Sequence, residues 1–421
     1  VCDVERGYTG FDFATGDFSM CVTLADIEAA RRRIADHVYC SPCPESLALS
    51  DMTGSRIFCK LDNLQRTGSF KERGACNALM QLPAGARKRG VTAASAGNHA
   101  LALAYHGRQL GIAVTVVMPT NAPLIKVATC RRMGATIVQQ GDSFAAAREL
   151  ADRLVTERGL AYIHGFDDPH IIAGQGTVGL EILEQVPNAD AVIVAAGGAG
   201  LLAGTATAIK AVRPGVKVIA VEPAAMPSLS AALKAGQPVT VPPCPTLADG
   251  LAVGRVGAAA FTLAKDRIDK LVTVDEATIA LAILRMIERE KTVVEGAGAA
   301  TLAALMSGQL EELRGKNVVL VIGGGNIDPT VLGRIIEYGL VADGRLCRFT
   351  AMISDRPGGL AKFTSALATT GASVKEVLHD RAFAGPDVSM VRLSCVVETH
   401  DHAHRDAMLR GLRDNGFVVT V

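Results

Sequence analysis

Tryptophan is absent from the 421 residues, and the three large aromatic residue types together make up only 4%. Such a chain has little with which to stack nucleic-acid bases. An excess of either charge is missing as well: 43 Lys and Arg stand against 42 Asp and Glu. No basic surplus is available to neutralise a phosphate backbone, and no polybasic cluster marks a membrane surface. Val1 to Met20 are mixed and mildly acidic, without the basic start and apolar core of a secretory leader. Ala191 to Ile209 carries no charge, yet it contains Gly197, Gly198, Gly200, Gly204 and two threonines. It reads as strand, glycine loop and helix start, not as a membrane span. Nucleic-acid and membrane partners are therefore not expected. The ten cysteines read as the reduced thiols of a cytoplasmic enzyme. Cys40-Ser41-Pro42-Cys43 has redox or zinc spacing, but no second pair lies near it, so no metal is expected there.

What the chain does have is apolar mass. Hydrophobic residues make up 49%, and the length calls for two or three domains. β-Branched runs (Val114 to Met118, Ala191 to Val194, Val216 to Val221, Val318 to Ile322) alternate with helical runs such as Ala145 to Glu157 and Ala277 to Glu290. That alternation predicts an α/β fold with mostly parallel sheets, whose ligands sit at the carboxyl ends of strands. After Asn326 the pattern changes. A helix over Asp328 to Gly339 and a linker over Val341 to Gly344 precede the order strand (345–354), helix (359–370), strand (372–380), strand (388–399), helix (402–415), strand (417–421). This is a ferredoxin-like α+β plan. His400, His402 and His404 read as a strand end and helix start, in preference to a metal site.

Four segments carry chemistry. Lys71 lies in Gly68-Ser69-Phe70-Lys71, a small and apolar setting. Burial there favours the neutral amine, which can condense with an aldehyde as lysines do with pyridoxal phosphate. Ser95-Ala96-Gly97-Asn98-His99-Ala100 is a small-residue turn before a helix, suited to a substrate carboxylate. Asn98 is placed to bond a phenolic oxygen of the cofactor ring, and His99 reads as structural, with a binding role left open. Gly197-Gly198-Ala199-Gly200-Leu201 follows a strand and can cradle a phosphate. Gly323-Gly324-Gly325-Asn326 follows another.

Together these segments resemble the threonine ammonia-lyases (threonine dehydratases), fold type II pyridoxal-phosphate enzymes of the tryptophan synthase β-like class. The resemblance runs from about Thr23 to Val421. It rests on Asp62-Asn63-Leu64-Gln65-Arg66-Thr67-Gly68-Ser69-Phe70-Lys71, on the Ser95 to Ala100 turn, on the glycine loop, on Val294-Glu295-Gly296-Ala297-Gly298 and on Gly324-Gly325-Asn326-Ile327-Asp328. It implies an N-terminal extension over 1–22, a two-domain catalytic region over 23–340 with a smaller domain inserted at about 64–164, and an ACT-like regulatory domain over 345–421. Lys71 would carry the cofactor as a Schiff base and act as base at the substrate Cα. Phe70, Asn98, Gly197, Gly198, Ala199, Gly200, Leu201 and Gly323 would bind pyridoxal 5'-phosphate; Ser95, Ala96, Gly97, Asn98 and His99 would bind the substrate. The cofactor phosphate would protonate the departing β-hydroxyl. The implied reaction removes water and ammonia from threonine, and from serine. A branched-chain amino-acid effector and a homo-oligomer, dimer or tetramer, are also implied. The alternatives are a serine or 3-hydroxyaspartate dehydratase, a β-replacement enzyme, and a catalytically weak amino-acid sensor.

Five positions depart from the family pattern. Asp62 stands where Glu is usual, and Gly323 where Ser or Cys faces the pyridine nitrogen. Ala199 replaces a loop glycine. Ser228 replaces the second carboxylate of a divalent-cation site begun by Glu222. Ala96 stands where serine racemases have a second serine. These departures predict no metal, little racemisation, and a gap at Gly323 that a serine would fill with a gain in elimination rate.

Overall fold

The computed structural model describes residues 22–381 and 389–421. The expected extension, apart from Val22, and Val388 of the expected strand lie outside them. Two compact units divide between Ile327 and Asp328, so the helix Pro329–Ala342, expected to close the catalytic region, groups with the C-terminal unit.

The described residues of the first unit form two sheets. The larger has, in spatial order, Glu45–Ser46, Arg56–Leu61, Asn317–Ile322, Ala191–Ala195, Lys217–Pro223 and Lys270–Val274. All neighbours are parallel except the first pair. Its central strands need no alternation of polar residues, because helices cover both faces: Val318 to Ile322 and Ala191 to Val194 are wholly buried. The second sheet orders Thr136–Gln139, Val114–Met118, Val91–Ala94 and Ala161–Tyr162, all parallel. Its own apolar core includes Leu79, Leu103, Val116 and Met118. These strands fall inside the span expected for the inserted domain.

Helix ends follow local chemistry. Thr23 and Asp26 form a capping box on Leu24–Ile34. Asp168 caps Pro169–Gln185, whose first residue is proline. Helix Pro169–Gln185 meets Gly200–Val212 at glycines: a Cβ on Gly204 would lie 2.3 Å from Ile172 O, and one on Gly176 2.9 Å from Gly204 O. Only hydrogen side chains permit that approach.

The Cys40 to Cys43 segment is a strap, not a redox turn. Pro42 O and Pro44 O accept from Leu61 N and Cys59 N, each at 3.0 Å, which lays Cys43 in an extended ladder. Burial pushes its thiol up to about 12, against thiolate reactivity.

The second unit carries a four-stranded antiparallel sheet in the order Ser373–Asp380, Met390–Glu398, Leu346–Ser354, Val418–Thr420. Helices Gly359–Ala368 and His402–Asp414 contribute Phe363, Leu367, Met408 and Leu412 to its core. The His402 and His404 rings are committed to hydrogen bonds, and the His400 ring stacks on His404. His404 Nδ1 accepts from His400 N at 3.1 Å, its Nε2 meets Thr370 O at 2.7 Å, and His402 Nε2 meets Ala342 O at 3.1 Å. No helix among the described residues is long and apolar enough to cross a membrane.

Candidate active site

Phe70 and Lys71 are fixed from below by the loop that follows strand Asn317–Ile322. Phe70 N donates to Gly323 O at 2.9 Å, Gly325 N to Gly68 O at 3.0 Å, and Ser69 bridges Gly324. Gly68 turns with φ +78°, and a Cβ there would lie 2.4 Å from Asn326 Oδ1, so this turn requires glycine. Lys71 then opens helix Lys71–Met80 and points into a cavity of about 280 Å³.

The Lys71 ammonium has a backbone partner, Gly165 O at 2.6 Å, and the Phe70 ring lies 5.1 Å away. No carboxylate pairs with it among the described ion pairs. Burial drives its pKa down to about 8, with Glu295 opposing the fall. An amine in this state is a usable nucleophile and base near neutral pH.

Two sets of backbone donors face the same cavity. Gly197, Gly198, Ala199, Gly200 and Leu201 all line it, and none of their N–H groups has a protein acceptor among the described residues. Gly197 to Ala199 precede helix Gly200–Val212 and Gly200 and Leu201 open it, so the helix dipole adds to an anion cradle. Ala199 adopts φ +68°, a left-handed state costing an L-residue roughly 1–2 kcal/mol. The loop thus keeps the nest geometry that glycine would take without strain. Ring atoms of Phe166 stand 2.3 Å from where a Gly198 Cβ would be, closing the cradle's floor. The second set is the Ser95 to His99 turn. Ser95 N is spent on Val117 O and Gly97 N on Ser95 Oγ, leaving the N–H groups of Ala96, Asn98 and His99 open at the start of helix Asn98–Leu110.

All the expected site residues line this one cavity: Phe70, Lys71, Ser95, Ala96, Gly97, Asn98, His99, the five loop residues and Gly323. The His99 ring is held by Ile163 O at 3.0 Å, and burial lowers its pKa to about 3, which favours the neutral imidazole. Beside Gly323 the cavity wall is apolar. A Cβ would meet Phe70 Cδ1 at 3.1 Å and Leu201 Cδ2 at 3.9 Å; the position is walled by apolar carbon.

Sequence reasoning missed several lining residues: Gly165, Phe166, His164, Tyr162, Phe144, Glu295, Asp249, Gly250, Leu251 and Val253. Asn326 was missed too. It holds Thr67 O at 2.6 Å and Asn98 Oδ1 at 2.9 Å. Glu295 and Asn326 both sit in recognised motifs, which was the available signal. Glu222, by contrast, is occupied as a cap. Its carboxyl accepts from Leu229 N, Ser230 N and Ser230 Oγ, while Ser228 Oγ donates to Val253 O. No group of three or more metal-ligating side chains occurs among the described residues.

Residues 34–324 match the family described as pyridoxal-phosphate dependent enzyme. The L-threonine ammonia-lyase of Thermotoga maritima is 42% identical over 400 residues, covering 95% of this chain and 99% of that protein. Among solved structures, the processed form of threonine deaminase isoform 2 from Solanum lycopersicum superposes with a TM-score of 0.72 at 36% identity, over 75% of this chain and 92% of that one. Maize serine racemase gives a TM-score of 0.72 at 33% identity, over 75% and 96%.

Proposed function

We propose, from the premise that the chain belongs to the pyridoxal-phosphate dependent enzyme family, that it deaminates L-threonine, and L-serine with it, by eliminating the β-hydroxyl as water. The products are 2-oxobutanoate, or pyruvate, and ammonia. The observation that carries the reading is Lys71: an amine without a carboxylate partner, driven towards neutrality, facing five open backbone donors across one cavity.

The residues present fit the cofactor. Lys71 would hold its aldehyde carbon, Gly197 to Leu201 its phosphate, and Asn98 its ring oxygen, with Phe70 and Gly323 against the ring. Bound there, the cofactor supplies an electron sink for charge developing at the substrate Cα. The chain does the rest. The open N–H groups of Ala96, Asn98 and His99, backed by a helix N-terminus, hold the substrate carboxylate. Lys71, neutral in a good fraction of molecules near pH 8, takes the Cα proton. Phe70, Phe166, Leu201 and Val253 keep water from the carbon that has lost it. Incubation with L-threonine, with and without an added thiol, tests the reading. Equal release of 2-oxobutanoate and ammonia in both is expected; thioether formation instead would mark a β-replacement enzyme.

Two further experiments probe details. Ala96 lines the cavity and carries no exchangeable proton, so L-serine should give pyruvate with less than about one D-serine per hundred turnovers. Rapid appearance of D-serine on chiral chromatography defeats this. Gly323→Ser adds a hydroxyl in an apolar corner, and one hydrogen bond to developing charge is worth up to about tenfold in kcat. The Phe70 ring must give by a few tenths of an ångström, so a lower thermal midpoint should accompany the faster rate. An unchanged or slower rate argues against a missing donor at this position.

We further assign to the C-terminal unit an amino-acid effector, of branched-chain type, and to the chain a homo-oligomeric, cytoplasmic state. The edge strand Ser373–Asp380, exposed along most of its length with Val374 and Leu378 outward, supports pairing between copies. The eight described cysteines are free, which suits a reducing compartment.

A further inference from the structure

Glu295 stands at the N-cap of helix Gly296–Met306, where a side chain commonly folds back onto the first open N–H groups. It makes no such bond. Its carboxyl lines the cavity instead, 5% exposed, and both oxygens accept from Asn98 Nδ2, at 2.9 and 3.1 Å. Gly324 makes this possible, since a Cβ there would stand 2.4 Å from Oε1. On the other side of Asn98, its Oδ1 accepts from Asn326 Nδ2 at 2.9 Å, and Asn326 is anchored on Thr67 O at 2.6 Å. The amide of Asn98 is therefore set one way round: oxygen to Asn326, nitrogen to Glu295. A backbone bond, Glu295 N to Gly324 O at 3.1 Å, ties this chain to the loop that carries Gly323.

We propose that Glu295 is a positioning residue which, through Asn98, controls the protonation of the cofactor's ring oxygen. This rests on the reading that Lys71 and Asn98 hold the cofactor. An amide nitrogen has two hydrogens, so Asn98 can donate to Glu295 and to a second acceptor together. An ionised Glu295 orients Asn98 and disfavours a second negative charge in the same dry pocket. A protonated one removes that charge and releases part of its hold on the amide.

The surroundings place the change in the working range of pH. Burial raises the Glu295 pKa to about 7; Asn98 lowers it, Asp249 raises it and Lys126 lowers it. Lys71, on the facing helix, is the remaining charged group coupled to it. Burial keeps the nearby imidazoles neutral here, His99 at about 3 and His164 at about 4. With Lys71, at about 8 when free, taken up by the cofactor, Glu295 is the group expected to change charge between about pH 6 and 8, its protonation ratio moving about a hundredfold over those two units.

The test is the absorption spectrum of the holoenzyme, without substrate, titrated across that range in wild type, Glu295→Gln and Glu295→Asp. The wild type should redistribute between two cofactor bands with a midpoint near 7. Glu295→Gln, isosteric and still able to accept from Asn98, should lose the step. Glu295→Asp, one methylene short of Asn98, should keep a step with a displaced midpoint. A flat wild-type spectrum overturns the proposal, and so does an unshifted step in either variant. A purely structural role would lower the thermal midpoint or cofactor content but leave the step in place. Should Glu295→Gln fail to hold cofactor, the wild-type and Glu295→Asp titrations decide. Borohydride fixation with peptide mapping separates the premise: no label on Lys71 in the wild type fails the functional reading itself, while a labelled Lys71 with no pH step fails this inference alone.

Discussion

Lys71→Met should abolish deamination and yet stabilise the cofactor-free protein at neutral pH. The first half follows from the proposed role: without the amine there is no proton acceptor at the substrate Cα, a loss of about 10²- to 10⁴-fold from proton transfer alone, and borohydride no longer fixes cofactor to the chain. The second half is electrostatic. Folding takes the Lys71 pKa from 10.5 to about 8 because burial disfavours the ammonium, and Glu295 only partly restores it. Between those two values the unfolded chain binds more protons than the folded one, so stability rises with pH through that window. Below about pH 8 the folded protein bears the whole penalty, up to roughly 3 kcal/mol, less whatever water in the cavity returns to the charge. Methionine is similar in length and carries no charge, so it removes that penalty. Denaturant midpoints of cofactor-free wild type and Lys71→Met should differ most at pH 7, in favour of the variant, and converge as pH rises past 10. A gap independent of pH, or one favouring the wild type at pH 7, would sink the argument. Saturating cofactor should reverse the order, since only the wild type gains the full linkage of a tightly held ligand.

The conflict between stability and activity at one side chain explains how much of this site was legible in sequence. A lysine among small and apolar residues violates the usual preference for solvated charge, and such violations gather at functional sites. The glycine loops are legible for a related reason: Gly198 and Gly68 have no room for a Cβ. Asp249, Gly165 and Phe166 were not legible. Their place in the cavity comes from bringing together segments that lie far apart in the chain, and no local periodicity encodes that. Glu295 was seen only as part of a motif. Its residue type at a helix start suggests a favourable end charge, and nothing in the sequence signals that the carboxyl turns away towards Asn98. Among the elements, the long buried strands were readable from β-branched runs. The two-residue strands Glu45–Ser46 and Ala161–Tyr162 were not, because their pairing is a tertiary consequence and not a propensity. At Gly323 the absence of a side-chain donor was legible, but the apolar wall that Phe70 and Leu201 make around the position was not.

The largest loss of stability should come from Glu181→Ala, a residue outside the cavity. Glu181, Asp62, Lys60 and Arg73 form a balanced group of two cations and two anions, each under 10% exposed. Arg73 grips Asp62 through Nε at 2.7 Å and Nη2 at 2.8 Å, and Glu181 through Nη1 at 2.6 Å and Nη2 at 2.8 Å. Lys60 bonds Glu181, Ser41 O and Gln185. The group joins strand Arg56–Leu61 and helix Pro169–Gln185 to helix Lys71–Met80, two residues past Lys71. Replacing Glu181 by alanine leaves two buried cations with one carboxylate, a defect worth about 3–5 kcal/mol. Lys60→Met strands the opposite charge. The pair Lys60→Met with Glu181→Ala restores neutrality around Arg73 and Asp62, so it should cost clearly less than the two single changes together. Urea midpoints of the four proteins form a cycle, and a coupling of at least about 1 kcal/mol is expected; additivity would mean that the four groups do not act as one network. Acid provides an independent check. Burial alone would raise the Asp62 pKa, but Arg73, Lys60 and Ser41 outweigh it and hold it below the ordinary 3.8. The stability from this carboxylate is present above that value and is lost as pH falls through the lowered one. Arg73→Met should remove that part of the acid response, and with it the bonds that tie the Lys71 helix to Asp62 and Glu181.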